Sequence, residues 1–400
     1  MIKSTSIVAV LTTSIALAQQ AAVEVPLILA WAQSDSLVPM VEIELAGAKG
    51  RFLIDTGAGR NALTKPMIEV LKLETKGKVR AAGVGNNEMV TTHTMPAFRI
   101  GTRTFGEQPA IGLDLAGVEK ILETRIDGLL GTSFFAAAVV TLDFPNRKLR
   151  LEAADAKPPQ GAVELRLGFA LGTPHLTARV NGSRKRRFVI DTGASRQLLL
   201  HGPFVKRMKW LDELELRTKG RISGVGGGHD VYSVRIDRFD LGLLVLTNVP
   251  TFLADPARAK GLMADSLRAG SVGTGLLYPF AVTFDYARKR LWLHRDGLGK
   301  SFDTGGDFGF DLRLRKGEMQ FYRLRDNGPA KRAGINKGDI LLELDGAAPP
   351  SSVHDAYLKI AVAKMLKLRV VPRGKQKPVD VELRRAHYGT LVKTPESKKN

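Results

Sequence analysis

The chain has 400 residues, 44% hydrophobic and 25% charged, which is typical of a folded protein of two or three domains. Its 60 Lys and Arg exceed its 40 Asp and Glu by a net charge of +20, yet no stretch interleaves aromatic and basic residues as single-strand nucleic-acid binders do, so no nucleic-acid partner is predicted. The absence of cysteine excludes disulfides, thiolate metal sites, a cysteine nucleophile and a lipoprotein anchor.

The first segment, residues 1–18, has the pattern of a secretory signal peptide. Lys3 precedes an apolar run rich in small residues, which ends in Ala16-Leu17-Ala18, an A-x-A cleavage site. The run is too short to span a bilayer as a helix. We therefore expect an exported protein, periplasmic or extracellular, whose mature chain has no membrane span; an uncleaved anchor is the alternative.

The next informative stretch is FLIDTGAGR at residues 52–60. Residues 40–45 alternate with period two, as a half-buried strand does, and residues 49–54 form a second strand that ends at Asp55-Thr56-Gly57. Helix is scarce, with short candidates at 65–73 and 117–123. A carboxylate directly after a buried strand suggests catalysis, and carboxylate catalysis usually needs a second carboxylate.

An internal duplication supplies the second carboxylate. FVIDTGASR at residues 188–196 repeats the first motif, so Asp191 corresponds to Asp55 at an offset of 136 residues. Two further segments repeat in the same order, 82–85 with 223–226 and 128–151 with 270–293. The duplication predicts two similar β lobes, at 25–152 and 163–296, joined by a linker at 153–162.

Two adjacent carboxylates can share one proton and hold one water molecule between them. Because two like charges about 3 Å apart do not both ionise easily, one carboxyl stays protonated while its partner accepts a proton from the water. We therefore predict Asp55 and Asp191 as a catalytic pair, the dyad. We predict that the dyad is supported by Thr56, Gly57, Thr192 and Gly193. Two glycine-rich hairpin tips, which we call flaps, are predicted to close over substrate; they comprise Gly83, Val84, Gly85, Gly224, Val225 and Gly226.

These motifs resemble those of retropepsin-like aspartic proteases, and two fused copies look like the bilobal arrangement of pepsins. The resemblance spans residues 25–296 and implies a mainly β fold with two barrel lobes, peptide hydrolysis at the dyad, no cofactor and no metal. It also implies a monomer, because both halves lie in one chain; retropepsin halves acting only as homodimers are the disfavoured alternative. Departures from the family are Ser271 in a hydrophobic position, Gly59 and Ser195 where retroviral enzymes have Asp, and flaps without the tyrosine of pepsins, Tyr232 being the nearest.

Residues 303–385 have a sequence pattern different from that of the two predicted lobes. The sequence NGPAKRAGINKGDILLELDG at 327–346 resembles PDZ domains, α+β modules that bind protein C-termini as an added strand. The resemblance implies a peptide site at Phe308, Gly309 and Phe310, with His354 near the start of a helix predicted at 353–365. The alternatives are that His354 is a solvent-facing capping residue and that the domain only packs on the lobes. The tail, residues 386–400, is polar and predicted to be disordered.

The chain lacks the sequence motifs of several other enzyme classes. The chain has no H-E-x-x-H, no G-x-S-x-G and no complete phosphate-binding loop, which argues against zinc peptidases, serine hydrolases and nucleotide enzymes. The sequence thus predicts an exported aspartic endopeptidase that acts on peptides or proteins. The alternative from another class is a non-catalytic peptide-binding or scaffold protein of the cell envelope that keeps the protease fold.

Overall fold

The computed structural model describes residues 22–33, 36–83, 87–170, 172–213, 218–297, 299, 301–304, 306–387 and 391–392. Within these residues the protein is mainly β, with short helices. No helix in the described ranges is long and apolar enough to cross a membrane. The predicted signal segment, residues 1–18, lies outside the described residues, and so do Val84 and Gly85.

The first third of the chain folds into short strands separated by three helices. Its elements are β1 (Val23–Pro26), β2 (Ile28–Gln33), β3 (Ser36–Leu45), β4 (Ala48–Ile54), β5 (Asn61–Thr64), α1 (Lys65–Val70), β6 (Gly77–Ala82), β7 (Asn87–Met95), β8 (Phe98–Ile100), β9 (Arg103–Phe105), β10 (Gln108–Leu113), α2 (Ala116–Leu122), β11 (Gly128–Leu130), α3 (Thr132–Ala137), β12 (Val139–Asp143) and β13 (Lys148–Glu152).

The second third repeats much of this order after an irregular segment at 153–162, the predicted linker. Its elements are β14 (Val163–Arg166), β15 (Gly168–Ala170), β16 (Thr173–Val180), β17 (Arg186–Asp191), β18 (Leu198–Leu200), α4 (Gly202–Met208), α5 (Trp210–Glu213), β19 (Thr218–Gly224), β20 (Gly227–Leu241), β21 (Leu244–Ala254), a 3-10 turn (Gly261–Ala264), β22 (Gly270–Gly273), α6 (Thr274–Leu277), β23 (Ala281–Asp285), β24 (Arg290–His294) and β25 (Ser301–Asp303).

The last third forms a separate antiparallel sheet with one helix of three turns. Its elements are β26 (Phe310–Arg315), β27 (Glu318–Leu324), α7 (Pro329–Arg332), β28 (Ile340–Leu344), α8 (Val353–Val362), β29 (Met365–Val371) and β30 (Val379–Arg384). The last strand, β31 (Leu391–Val392), belongs to a different sheet. Strands β26 to β30 lie in sequence order, which leaves β26 at one edge. We call residues 306–385 the third domain.

Each Asp-Thr-Gly turn lies in its own ten-stranded sheet, and we call these sheets lobe 1 and lobe 2. In lobe 1, β4 pairs in parallel with β11, β11 antiparallel with β5, and β5 in parallel with β10. In lobe 2, β17, β22, β18 and β21 pair in the same order and directions. The duplication seen in the sequence is therefore also present in the strand topology. Lobe 2 additionally includes β25, so its sheet continues past residue 296.

A six-stranded sheet joins the two lobes, in the order β1-β13-β12-β23-β24-β14. Its central pair, β12 and β23, brings together equivalent positions of the two repeats, with Thr141 opposite Thr283 and their hydroxyls 2.8 Å apart. Both strands are buried along their whole length. Because neither half completes this sheet alone, the lobes form one structural unit rather than two independent domains.

The end of the chain differs from the sequence expectation in two places. Helix α8 ends at Val362, three residues before the predicted end at Met365, because Met365 begins β29. In the segment expected to be disordered, Ala386 bridges to Asp307, His387 bonds to Asp303, and Leu391–Val392 pair with β20. At these four residues the backbone or side chain has a partner, so ordered structure extends beyond residue 385.

Candidate active site

Asp55 and Asp191 lie at the ends of two buried strands, where the chain turns out of each sheet. Asp55 follows β4, and its N–H donates to the carbonyl of Leu130 at 2.9 Å; Asp191 is the last residue of β17, opposite Gly273 of β22. Each carboxylate accepts backbone N–H bonds from its own turn. Gly57 donates to Asp55 Oδ1 at 2.8 Å, whereas Gly193 and Ala194 both donate to Asp191 Oδ1 at 3.1 Å.

The glycine of each turn lies against the carboxyl group of the other turn. A Cβ atom on Gly57 would lie 2.4 Å from Asp191 Oδ1, and a Cβ atom on Gly193 would lie 2.4 Å from Asp55 Oδ2. No side chain fits at such distances. Glycine at both positions is therefore what allows the two carboxyl groups, 136 residues apart in sequence, to come together.

Two buried threonines join the turns by exchanged hydrogen bonds. Thr56 Oγ1 donates to the carbonyl of Ile190 at 2.7 Å, and Thr192 Oγ1 donates to the carbonyl of Ile54 at 2.6 Å. Each hydroxyl also accepts the backbone N–H of the other threonine, at 2.9 and 3.0 Å. Both side chains are completely buried. These four bonds hold the two turns in one fixed arrangement.

A second pair of threonines, at equivalent positions of the repeats, links each lobe to the other one. Thr132 Oγ1 donates to the carbonyls of Ala58 and Gly172, and Thr274 Oγ1 donates to those of Ala194 and Leu37. In each pair of acceptors, one lies in the dyad turn of the same lobe and one in the opposite lobe. The repeat makes Thr132 and Thr274 equivalent in sequence, but no local pattern indicates this linking role.

Burial and mutual repulsion raise the pKa of the dyad. Burial, followed by the charge of Asp191, raises the pKa of Asp55 well above its ordinary value. Burial also raises the pKa of Asp191, but the N–H groups of Ala194 and Gly193 and the carboxyl of Asp55 counteract it. The N–H groups of Gly57 and Ala58 lower the pKa of Asp55 in the same way, so both turns stabilise an ionised carboxyl. The titration therefore belongs to the pair.

A buried tyrosine that the sequence analysis missed lies near the dyad. Burial and the charge of Asp55 raise the pKa of Tyr286 well above its ordinary value. Its ring stacks on Phe135 at 5.3 Å, and its hydroxyl is buried with no hydrogen-bond partner among the described residues. Phe144 occupies the matching position of the first repeat, so comparison of the repeats is the only sequence signal for this polar group.

A cavity of about 1730 Å³ opens above the two carboxyls, and we call it the cleft. Lobe 1 lines it with buried apolar side chains, including Val38, Leu53, Ile111 and Leu129, and with several basic side chains. Gly59 and Ser195, two positions at which the sequence departs from the family, both line the cleft.

Lobe 2 contributes polar side chains to the cleft beside the dyad. Ser271 stands where lobe 1 has Leu129, and buried Arg268 donates to Asp265 and to Thr173 at 2.8 Å. Burial lowers the pKa of the neighbouring His201 to about 4, so its imidazole is neutral at neutral pH. The two sides of the dyad therefore offer different surfaces to a bound chain.

Two hairpins extend over the cleft. In lobe 1 the hairpin β6–β7 reaches Gly83, whose carbonyl accepts the N–H of Leu262 from lobe 2 at 3.4 Å. In lobe 2 the hairpin β19–β20 closes where Gly224 pairs with Gly227, with Val225 and Gly226 in the turn, and Val225 packs on the apolar cluster of lobe 1. Gly83 and Val225 thus each contact the opposite lobe.

The predicted peptide site of the third domain is partly buried. Phe308 and Phe310 are buried in its core, and Gly309 between them has a φ of 76°, a left-handed backbone that favours glycine. The N–H of Gly309 donates to the carboxylate of Asp307 at 2.5 Å. Position 354 is the second residue of α8; its side chain lies outside the described part of the structure.

The outer edge of β26 carries an intramolecular bond that the sequence analysis did not anticipate. The hydroxyl of Tyr357, on α8, accepts the N–H of Leu312 at 2.8 Å and donates to the carbonyl of Leu312 at 3.3 Å. These are the backbone groups to which an added peptide strand would bond. In this structure these two backbone groups of Leu312 therefore have a partner within the domain.

Placing a side chain between the two turns should destabilise the protein. We expect Gly193→Ala to lower the free energy of unfolding by about 2 kcal/mol, because its methyl group overlaps the carboxyl of Asp55. Urea denaturation measures the change. The matched control is Gly106→Ala, where a Cβ meets nothing within 4 Å; equal stability of the two variants would show that the turns are not packed as described.

Removing the charge of Asp55 should change how stability depends on pH. Because folding raises the pKa of Asp55, the folded protein holds this proton more tightly than the unfolded chain, and stability falls as pH rises from about 4 through the raised pKa. We expect Asp55→Asn to become progressively more stable than wild type across that range. Denaturation at a series of pH values tests this, and a stability difference that does not change with pH would contradict it.

Comparison with known protein families gives two matches. The model for a family described as aspartyl protease matches residues 41–134 and again residues 176–277. No curated protein matches the chain. Two separate segments of this chain are therefore similar in sequence to aspartyl proteases, and each carries one of the two Asp-Thr-Gly turns.

Proposed function

We propose that the protein is an aspartic-type endopeptidase that hydrolyses peptide bonds with a water molecule held between Asp55 and Asp191. The observation that carries the proposal is the close approach of two half-buried carboxyls, each packed against the glycine of the opposite turn and each with a raised pKa. The two family matches support a protease-type function. The open cleft above the pair supports a polypeptide as substrate.

In the first step one carboxyl is ionised and the other is protonated, and we assign the proton to Asp55 because burial, followed by the charge of Asp191, raises the pKa of Asp55. Asp191, ionised, takes a proton from the water as its oxygen attacks the carbonyl carbon, and protonated Asp55 donates its proton to the carbonyl oxygen. The product is a tetrahedral diol, with Asp55 now ionised and Asp191 protonated. When the proton on Asp191 moves to the amide nitrogen and a diol proton returns to Asp55, the C–N bond breaks and the starting state is restored.

The rival function is a non-catalytic scaffold that retains the protease fold. A protein under no catalytic constraint does not need to bury two carboxylates side by side, since such a pair destabilises the folded state at neutral pH. Here both carboxylates are kept, together with the glycines and threonines that hold them in place. These features favour the enzyme.

Replacing either carboxyl by an amide should abolish hydrolysis. We expect Asp55→Asn and Asp191→Asn each to lower the cleavage rate of a mixed peptide library by at least about 10³-fold, because neither variant has the proton-sharing pair. The control is Asp380→Asn, an exposed carboxylate of β30. Mass spectrometry of the products measures the rates, and circular dichroism checks the fold. Activity that survives either dyad substitution would eliminate the mechanism.

For the third domain we propose a PDZ-like role, the capture of protein C-termini beside β26. The sequence motif at 327–346 and the position of β26 at a sheet edge next to α8 support this role. The bonds from Tyr357 and Asp307 to the strand edge and its preceding loop indicate that a peptide must displace internal partners to bind. In the absence of a peptide, these internal bonds therefore close the groove beside β26.

Freeing this strand edge should strengthen peptide binding. We expect Tyr357→Phe to lower the Kd for peptides with a free C-terminus by about fivefold, because Leu312 then lacks its internal partner, and to lower stability by about 1 kcal/mol. Fluorescence anisotropy with a C-terminal peptide library measures the affinity. The same peptides with amidated C-termini are the control. Unchanged binding by the variant would contradict the closed-groove proposal.

We further propose that the protein is exported by residues 1–18 and functions as a monomer outside the cytoplasm. The A-x-A site and the presence of both carboxyls in one chain support these two points. N-terminal sequencing of the secreted protein checks the first: a mature chain that begins at Gln19 is expected, and an intact Met1 would contradict cleavage.

A further inference from the structure

The third domain forms part of the wall of the catalytic cleft. The residues that line this one cavity include both dyad carboxyls and, from the third domain, Arg313, Tyr322 and Arg323. Helix α8 packs against β2 of lobe 1, which fixes the domain beside the cleft. Tyr322 also lies close enough to Glu123 of lobe 1 for that carboxylate to act on its pKa. A chain bound at the dyad can therefore continue onto the third domain.

The described residues that line the cleft are strongly basic. They include nine Arg or Lys and four Asp or Glu, and two of the four acidic residues are the dyad itself. Three of the basic residues are neutralised by carboxylates that do not line the cleft: Arg51 by Glu42, Arg221 by Asp230, and Arg268 by Asp265. Five others form no ion pair with any described residue: Arg60, Arg80, Lys120, Arg313 and Arg323.

The third-domain part of this wall is a cluster of one aromatic and two basic side chains, which we call the Tyr322 cluster. Arg323 lies over the Tyr322 ring at 5.1 Å, and Arg313 lies over it at 6.0 Å. Arg313 donates weakly to Gln320 at 3.4 Å, and its Nε is buried with no hydrogen-bond partner among the described residues. The ring contacts two guanidinium groups that line the cleft, with donors left over for an anionic ligand.

Building on the proposed endopeptidase function, we propose that the Tyr322 cluster is an extended subsite of the cleft that binds acidic side chains of the polypeptide substrate. Segments rich in Glu or Asp, at a distance from the bond to be cut, are its ligands. The guanidinium groups of Arg313 and Arg323 supply charge-assisted hydrogen bonds to those carboxylates. The enzyme is thereby selective for polypeptides that carry an acidic stretch next to the cleavage site.

An acidic polypeptide fits this surface better than a nucleic acid does. The basic residues line the same cavity as the two carboxyls that act on a peptide bond, and at neutral pH the dyad carries a negative charge that repels a phosphate backbone. A polypeptide with acidic residues only at a distance presents a neutral backbone to the dyad and its charges to the Tyr322 cluster. Charge complementarity and reaction chemistry therefore select the same kind of ligand.

The test measures peptide binding separately from cleavage. A labelled glutamate-rich peptide and its glutamine isostere are titrated by fluorescence anisotropy into the full chain carrying Asp55→Asn, at low salt. We expect tighter binding of the glutamate peptide, and we expect Arg313→Gln with Arg323→Gln to weaken that peptide about fivefold while leaving the glutamine isostere unchanged. Arg323→Gln alone should weaken binding of the glutamate peptide by a smaller factor. Because Arg323 is exposed, this single variant provides the test if the double variant does not fold.

The matched control removes two charges from the same domain away from the cleft, as Lys367→Gln with Lys375→Gln, both exposed and neither lining the cavity. Equal affinity for the two peptides, or equal weakening by the control variant, would overturn the proposal. A single-stranded oligonucleotide that displaces the glutamate peptide more readily than the unlabelled peptide does would also overturn it. If Asp55→Asn and Asp191→Asn did not reduce cleavage, the proposed endopeptidase mechanism would be wrong. The binding measured here would still be interpretable, because it does not depend on cleavage.

Discussion

The exchange of hydrogen bonds between Thr56 and Thr192 is the interaction on which the rest of the site depends. Each hydroxyl donates to a carbonyl of the opposite strand and accepts an N–H of the opposite threonine, so neither turn has a complete set of partners without the other. The glycines that follow then place each carboxyl against the opposite turn. A carboxyl pair, which by itself is repulsive when ionised, is held together by neutral groups around it.

The pseudo-symmetry of this arrangement is incomplete. Asp191 accepts N–H bonds from both Gly193 and Ala194 at 3.1 Å on one oxygen, whereas Asp55 accepts the N–H of Gly57 at 2.8 Å. The walls of the cleft also differ, apolar beside Leu129 and polar beside Ser271. One strand topology used twice therefore provides two different carboxyl environments and two kinds of cleft surface.

The sequence predicted those parts of the site that local residue patterns determine. The repeated Asp-Thr-Gly turns, the buried strands that lead to them, the glycine-rich hairpins and the change of character after residue 303 are all visible in short stretches. It did not predict the six-stranded sheet between the lobes, because the pairing of β12 with β23 joins positions 142 residues apart. Nor did it predict the bond of Tyr357 to Leu312 or the burial of Tyr286 near Asp55, since both depend on how separate elements pack.

The role in substrate choice that we propose for the third domain rests on its basic side chains, which line the same cavity as the dyad. This proposed role requires that the two carboxyls act together as a single catalytic centre. A crystal structure of the protein with a peptide analogue whose scissile bond is replaced by a hydroxyl-bearing carbon tests this claim most directly. The account predicts the hydroxyl within hydrogen-bond distance of both Asp55 and Asp191, with the peptide extended along the cleft. A hydroxyl bound by one carboxyl alone, or an analogue bound outside the cleft, would contradict it.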